Sequence, residues 1–357
     1  MIAIEERAQA LKPARSSAPR YGLLFSGLTV LLFVLFMLDI FLGSVSYSPA
    51  EVIRAFFNDA ESTARTILIR FRLPKALTAV LAGIALSVSG LQMQTLFRNP
   101  MAGPYVLGLS SGASLGVAFV ILGFTSGIPP DAISGIGNWA IAVSAWAGAG
   151  LVMLLVMIIS SMVRNIMTVL ILGIMLSAGV SAIVSIMQYF SSETMLKAYV
   201  IWTMGSLGNL TTSQLNVMLI SVTAGIVACL ISVKMLNALL LGEDYARSLG
   251  LDIRRARFVV VAGTSILAGT VTAFCGPIGF IGIAVPHIAR MLFRTSDHRV
   301  LVPATIITGA AIMLASDVIS QLPGSESVLP VNSVTALIGI PIVVWVILRN
   351  QKNMDIF

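Results

Sequence analysis

Charge is what this sequence most lacks: only 10% of its 357 residues are Asp, Glu, Lys or Arg. A soluble domain carries about 25%, and a chain this poor in charge cannot cover a water-facing surface. That excludes a free-standing globular protein and leaves lipid as the solvent for most of the surface, in keeping with a mean hydropathy of +0.97. Histidine and cysteine are nearly as scarce. His287 and His298 are the only histidines, too few for a metal site at ligand spacing. Cys229 and Cys275 fall inside apolar runs without a CxxC, where thiols act as small buried hydrophobes. No G-x-x-x-x-G-K-[ST] loop is present, so the chain has no phosphate cradle with which to hydrolyse ATP. A polytopic membrane enzyme would need His, Asp or Glu clustered near one face, and the sequence shows no such cluster.

What is present is a succession of apolar runs. A span needs roughly 20 apolar residues to cross about 30 Å of hydrocarbon. Breakers divide the chain into ten such stretches, near 21–44, 76–96, 104–123, 138–162, 166–190, 213–236, 256–275, 277–293, 300–319 and 331–348. The expected fold is therefore all-α and polytopic, with about ten transmembrane helices. Arg7, Lys12, Arg15 and Arg20 ahead of the first run give it the look of a signal sequence. The run continues to about Gly43, longer than the roughly 7–15 residues of a signal core, so a retained first span is expected.

The basic residues orient the chain. With the N-terminus inside, all but six of the 22 Lys and Arg lie in cytoplasmic segments; Arg54, Arg65, Arg70, Arg72, Lys75 and Lys197 lie outside. Positive-inside placement, rather than nucleic-acid binding, thus accounts for the net charge of +7. Both termini are then cytoplasmic, which requires an even number of spans. The expected organisation is a cytoplasmic tail over 1–20, one transmembrane domain over 21–350 and a C-terminal tail over 351–357, with no internal repeat. Ser48, Pro49 and Glu51 predict the start of a short helix lying on the outer surface, and Glu193 to Leu207 predicts a second.

Gly108, Ser110 and Gly112 match G-x-S-x-G, but a nucleophile elbow needs a strand-to-helix turn with a His and an acid. The same residues read better as Gly108-xxx-Gly112-xxx-Gly116, a stripe that lets helix backbones approach closely. For His287, which follows Pro286, a structural or pore-lining role is expected. Among intramembrane polar groups stand Asp39, Gln92, Gln94, Gln188 and Asp317. An ion-coupled secondary transporter places carboxylates near mid-membrane. Asp39 and Asp317 lie toward the outer ends of their spans, where interhelical hydrogen bonding is the expected role.

The loop from Leu239 to Arg257, LLLGEDYARSLGLDIRRAR, is more than a connector. Glu243 and Asp244 open a short helix where negative charge suits its dipole, and Gly250 can close it. Tyr245 and Leu249, four apart, share a face suited to a partner's cleft.

This loop resembles the coupling helix of the permeases of iron-siderophore, haem and cobalamin ABC importers, the type II, FecCD-like family. Four further stretches resemble the same family: Arg72-Leu73-Pro74-Lys75; Arg98-Asn99-Pro100-Met101-Ala102 through Leu107-Gly108-Leu109-Ser110-Ser111-Gly112-Ala113; Gly279-Phe280-Ile281-Gly282 through Pro286-His287-Ile288-Ala289-Arg290; and Leu329-Pro330-Val331 with Val334-Thr335-Ala336-Leu337-Ile338-Gly339. The order and spacing agree from about residue 40 to the C-terminus.

The resemblance implies a permease in a bacterial inner membrane that is not itself an enzyme. It implies a homodimer, two separate ATPase subunits carrying ATP and Mg on the cytoplasmic face, and a periplasmic binding protein delivering a metal chelate such as ferric siderophore, haem or cobalamin. No cofactor, metal or nucleic acid is expected on this chain. By the same likeness Gly242, Glu243, Asp244, Tyr245, Ala246, Arg247, Leu249 and Gly250 enter the ATPase. Arg72 and Lys75, with Arg70, dock the binding protein, and Asn165, Ile166 and Met167 form the cytoplasmic gate. Gln321 stands where relatives can carry a docking Arg, and Val328 at a nearby acidic position. The low charge of the spans and the 17 Met suit a bulky cargo passing walls with few fixed binding groups.

Overall fold

The computed structural model describes residues 18–43, 51–52, 54, 62–123, 138–163, 166–321 and 327–354. Among these it is all helix and loop. The helices are α1 Ala18–Phe41, α2 Thr63–Leu96, α3 Leu109–Ile121, α4 Asn138–Met162, α5 Ile166–Tyr189 and α6 Glu193–Thr203. There follow α7 Thr212–Leu240, α8 Glu243–Ser248, α9 Ile253–Cys275, α10 Ile281–Phe293, α11 His298–Ser320 and α12 Val331–Met354.

Seven of these (α1, α2, α4, α5, α7, α9 and α11) are long and apolar enough to cross a bilayer, and α3, α10 and the Val331–Val346 part of α12 are shorter apolar stretches. All ten fall on the ten predicted stretches. The second span departs most, because its helix begins at Thr63 rather than near residue 76 and carries a π-helical turn, Leu68–Arg72. The surface helix predicted from Ser48 and Pro49 lies outside the described residues apart from Glu51, Val52 and Arg54. The second predicted surface helix is α6.

α2 is the hub: 83% of its most apolar window is buried against other helices, against 11% for α1. Its sequence explains this. Ala76, Ala79, Ala82, Gly83, Ala85, Gly90 and two serines present almost no side chain, so neighbours come to backbone distance. At Gly83 a methyl group would meet the Gly309 carbonyl of α11, and at Gly90 the Gly282 carbonyl of α10. Gly112 and Gly116 of α3 lie against Gly148 and Ser144 of α4 in the same manner, whereas Gly108, expected in the same stripe, precedes the helix with φ +85 and sits against Ser177 and Val152.

The loops sort to two ends. At one, Arg20 reaches the Leu292 carbonyl, Arg98 lies beside Gly242, and Asn237 binds Asp297 and His298. At the other, Arg72, Lys75, Gln321 and the 206–208 turn gather. Every residue of the first set belongs to the side predicted cytoplasmic, and every residue of the second to the outer side.

Candidate functional site

The end predicted to be cytoplasmic carries the short helix α8. Gly242 enters it with φ +104, backbone that glycine adopts without a Cβ penalty. A Schellman turn closes it: Leu251 N–H donates to Ala246 O at 3.0 Å, Gly250 N–H to Arg247 O at 3.0 Å, and Gly250 has φ +84. Ala246 is fully buried beneath the helix, while Tyr245 and Leu249 are 53% and 62% exposed. Those two side chains form the apolar knob that their spacing predicts. Asp244 and Arg247 pair at 3.5 Å in open solvent, an arrangement of little energetic weight.

Glu243 does more than favour the helix dipole. Its carboxylate receives Arg257 in a fork, Nη2 to Oε1 at 2.8 Å and to Oε2 at 2.7 Å, with Nε at 3.1 Å from Oε1. Arg257 is buried and also donates from Nη1 to the Val163 carbonyl at 3.3 Å. One guanidinium thus ties α8, the base of α9 and the end of α4. The sequence carries a sign of this. Ile253, Ala256, Arg257, Val260 and Val261 form the buried stripe of α9, so the third Arg of the RRAR run sits at a core position and needs an acidic partner.

Below α8, polar contacts pin the helix bases. Thr95 Oγ1 and Asn237 Oδ1 each lie 2.8 Å from a ring nitrogen of buried His298, and Asp297 caps α11. Arg290 donates to Gln94 at 2.5 Å, and His287 lies 2.8 Å from the Pro100 carbonyl. Both histidines are structural ties.

At the opposite end Arg72 caps α1, donating to the carbonyls of Ile40 and Phe41 at 2.8 and 3.0 Å. Lys75 pairs with Asp317 at 3.1 Å. Gln321 is buried and donates from Nε2 to Asp39 at 2.7 Å and to Asp317 at 3.1 Å. Of the three predicted docking cations, Arg70 alone is exposed; Arg72 and Lys75 are half-buried and engaged with the chain's own helices. Of the predicted gate, Asn165 lies outside the described residues, Ile166 begins α5, and Met167 is exposed.

A profile for the FecCD transport family matches residues 31–349. The chain belongs to that family. Its relatives include the vitamin B12 import system permease protein BtuC of Klebsiella pneumoniae, 36% identical over 91% of this chain and 93% of the relative. The hemin transport system permease protein HmuU of Yersinia pestis is 34% identical over 93% and 97%. A solved structure described as an inward-facing metal-chelate type ABC transporter superposes with a TM-score of 0.78 at 28% identity, covering 92% of this chain and 99% of that one. Most motifs that carry the FecCD resemblance are packing devices in this member. Gly282 fits against Gly90 and Pro104, Gly339 against Phe280, and Asn332 accepts from Gly279 N–H at 2.9 Å.

Proposed function

We propose that this FecCD family permease is the membrane conduit of an ATP-driven importer, and that α8 is its socket for a separate ATPase. The observation that carries the reading is the Tyr245–Leu249 knob, held proud of the cytoplasmic end by a helix too short to stand alone and braced by the Glu243–Arg257 fork. The chain has no phosphate loop, so the work must enter from a partner. Nucleotide drives the cycle only through its different affinity for the two permease states. The brace onto Val163 supplies a rigid route from the socket to the α4–α5 turn, where residues 165–167 would gate the path.

Two copies of the chain would enclose that path. α5 rests on α3 and α4 along one side, and Ile171, Ile174, Met175 and Ile183 remain exposed. Leu337, Ile340 and Val344 do the same on α12. Few charges line these helices, which suits a bulky chelate of the kind named for the relatives, delivered by a binding protein in the periplasm to a permease of the bacterial inner membrane. Arg70 is the most available docking cation. An ion-coupled transporter draws no support from Asp39 and Asp317, which sit near helix ends within a hydrogen-bonded cluster.

Affinity purification of the full permease from its native membranes tests the socket. The wild-type chain should bring down an ATPase, and Tyr245→Ala with Leu249→Ala should lose it while the permease stays monodisperse. An ATPase retained by that variant would refute α8 as the socket.

A further inference from the structure

Two cavities lie one above the other along the seam between α4 and α9. The lower, about 430 Å³, is walled by Met157 and Ser160 of α4, Phe258 and Val261 of α9, and Phe97 at the end of α2; Arg254 and Arg255 stand at its mouth. The upper, about 270 Å³, lies between Trp146, Gly150 and Met153 of α4 and Ser265 and Gly269 of α9, with Ser221 of α7 beside them. These positions follow one face of each helix, at spacings of three and four residues. Two glycines open the seam: a Cβ built on Gly150 or on Gly269 meets nothing within 4 Å, unlike the glycines of the α2 and α3 contacts. Trp146 packs edge-on against Phe274 at 5.1 Å and closes the top.

The seam runs from Ser160 to Trp146, about 21 Å at a helical rise of 1.5 Å per residue. One leaflet's share of the hydrocarbon is about 15 Å. The two cavities are lined mostly by apolar side chains, and together they follow a length that matches one acyl chain. The basic groups stand only at the mouth of the lower one. Arg254 and Arg255 are exposed there, and the pairing of Arg255 with Asp252 at 3.2 Å is open to solvent. Arg257, the third basic group, is engaged by Glu243. Apolar walls with two arginines at the cytoplasmic interface complement an anionic headgroup with its tail.

We infer that the α4–α9 seam is a binding site for one anionic phospholipid of the cytoplasmic leaflet, its phosphate on Arg254 and Arg255 and an acyl chain beside Gly150 and Gly269. The lipid would fill the groove next to the Arg257 brace.

Native mass spectrometry of the delipidated full-length permease, titrated with dioleoyl phosphatidylglycerol, tests this. Dioleoyl phosphatidylcholine and inorganic phosphate provide comparison arms. The wild-type chain should take one tight phosphatidylglycerol, with phosphatidylcholine weaker and inorganic phosphate unable to displace it. Arg254→Gln with Arg255→Gln should weaken phosphatidylglycerol binding roughly thirty-fold, at about a factor of five for each basic residue. The Arg→Lys pair should retain most of the affinity, and Gly269→Leu should reduce it with the arginines intact. Equal binding of the two lipids, unchanged affinity in the Gln pair, or displacement by inorganic phosphate would each overturn the site. Should Gly269→Leu fail to fold, Gly150→Leu at the exposed rim carries the same test. Efficient disulfide formation between two Gly150→Cys chains in membranes would place a second copy on the seam and would also overturn it.

Discussion

A single guanidinium organises the cytoplasmic end. Arg257 fills a core position of α9, and burial without a partner would be prohibitive. Removing one member of such a pair costs about 3 kcal/mol or more. Arg257→Gln and Glu243→Gln should each destabilise the permease by about that amount, and the double variant should be no worse than either single one. Thermal unfolding in detergent checks this; fully additive losses would show that the two groups do not act as a pair. At the outer end, Asp317→Asn should cost more than Asp39→Asn, because only Asp317 is paired with Lys75. Asp297 gives a pH-dependent case. The Arg299 backbone N–H is the largest influence and holds its carboxyl below the ordinary range; burial opposes it, and the Asn237 amide adds to it. A depressed pKa means that this cap is fully made above the ordinary carboxylate pKa of about 3.9 and is lost as pH falls through the lower folded value. Hydrogen exchange at the first turn of α11 should rise only below about pH 4.

At the scale of elements, the ten apolar helices were legible because a bilayer demands long apolar runs and little else. The early start of α2 was not. Arg65, Arg70, Arg72 and Lys75 made 63–75 look like a water-exposed segment, whereas Arg72 and Lys75 are spent on the C-terminus of α1 and on Asp317. Arg72 and Lys75 were thus singled out by motif, but their internal partners are more than 30 residues away and invisible to local pattern. The short helix α8 and its glycine boundaries were readable from Gly242 and Gly250; its brace required seeing that Arg257 falls in register with apolar residues. Small residues carry the helix packing. Gly90→Leu should drive a side chain into the Gly282 backbone and cost about 2 kcal/mol or more, the overpacking penalty. Gly22→Ala, where a methyl group meets nothing, should be neutral or slightly stabilising. Equal effects at the two sites would contradict the close-packing account.

Across the whole molecule, two ends with different work are joined by a core built around α2. The outer end is a self-contained cluster of Asp39, Arg72, Lys75, Asp317 and Gln321, with Arg70 beside it facing solvent. The end predicted to be cytoplasmic presents a braced helix whose Tyr245 and Leu249 stay exposed among the described residues. On the proposed reading, energy would enter at α8 and reach the path through the Arg257 brace. The most direct measurement of that route is uptake of chelate into vesicles reconstituted with the permease, its ATPase and its binding protein, comparing wild type with a chain whose residues 243–249 are replaced by Gly and Ser. Wild type should transport only with ATP, and the replaced chain, still folded, should not transport while any remaining ATP hydrolysis runs uncoupled. Uptake by wild type without ATP, or undiminished uptake by the replaced chain, would contradict the account.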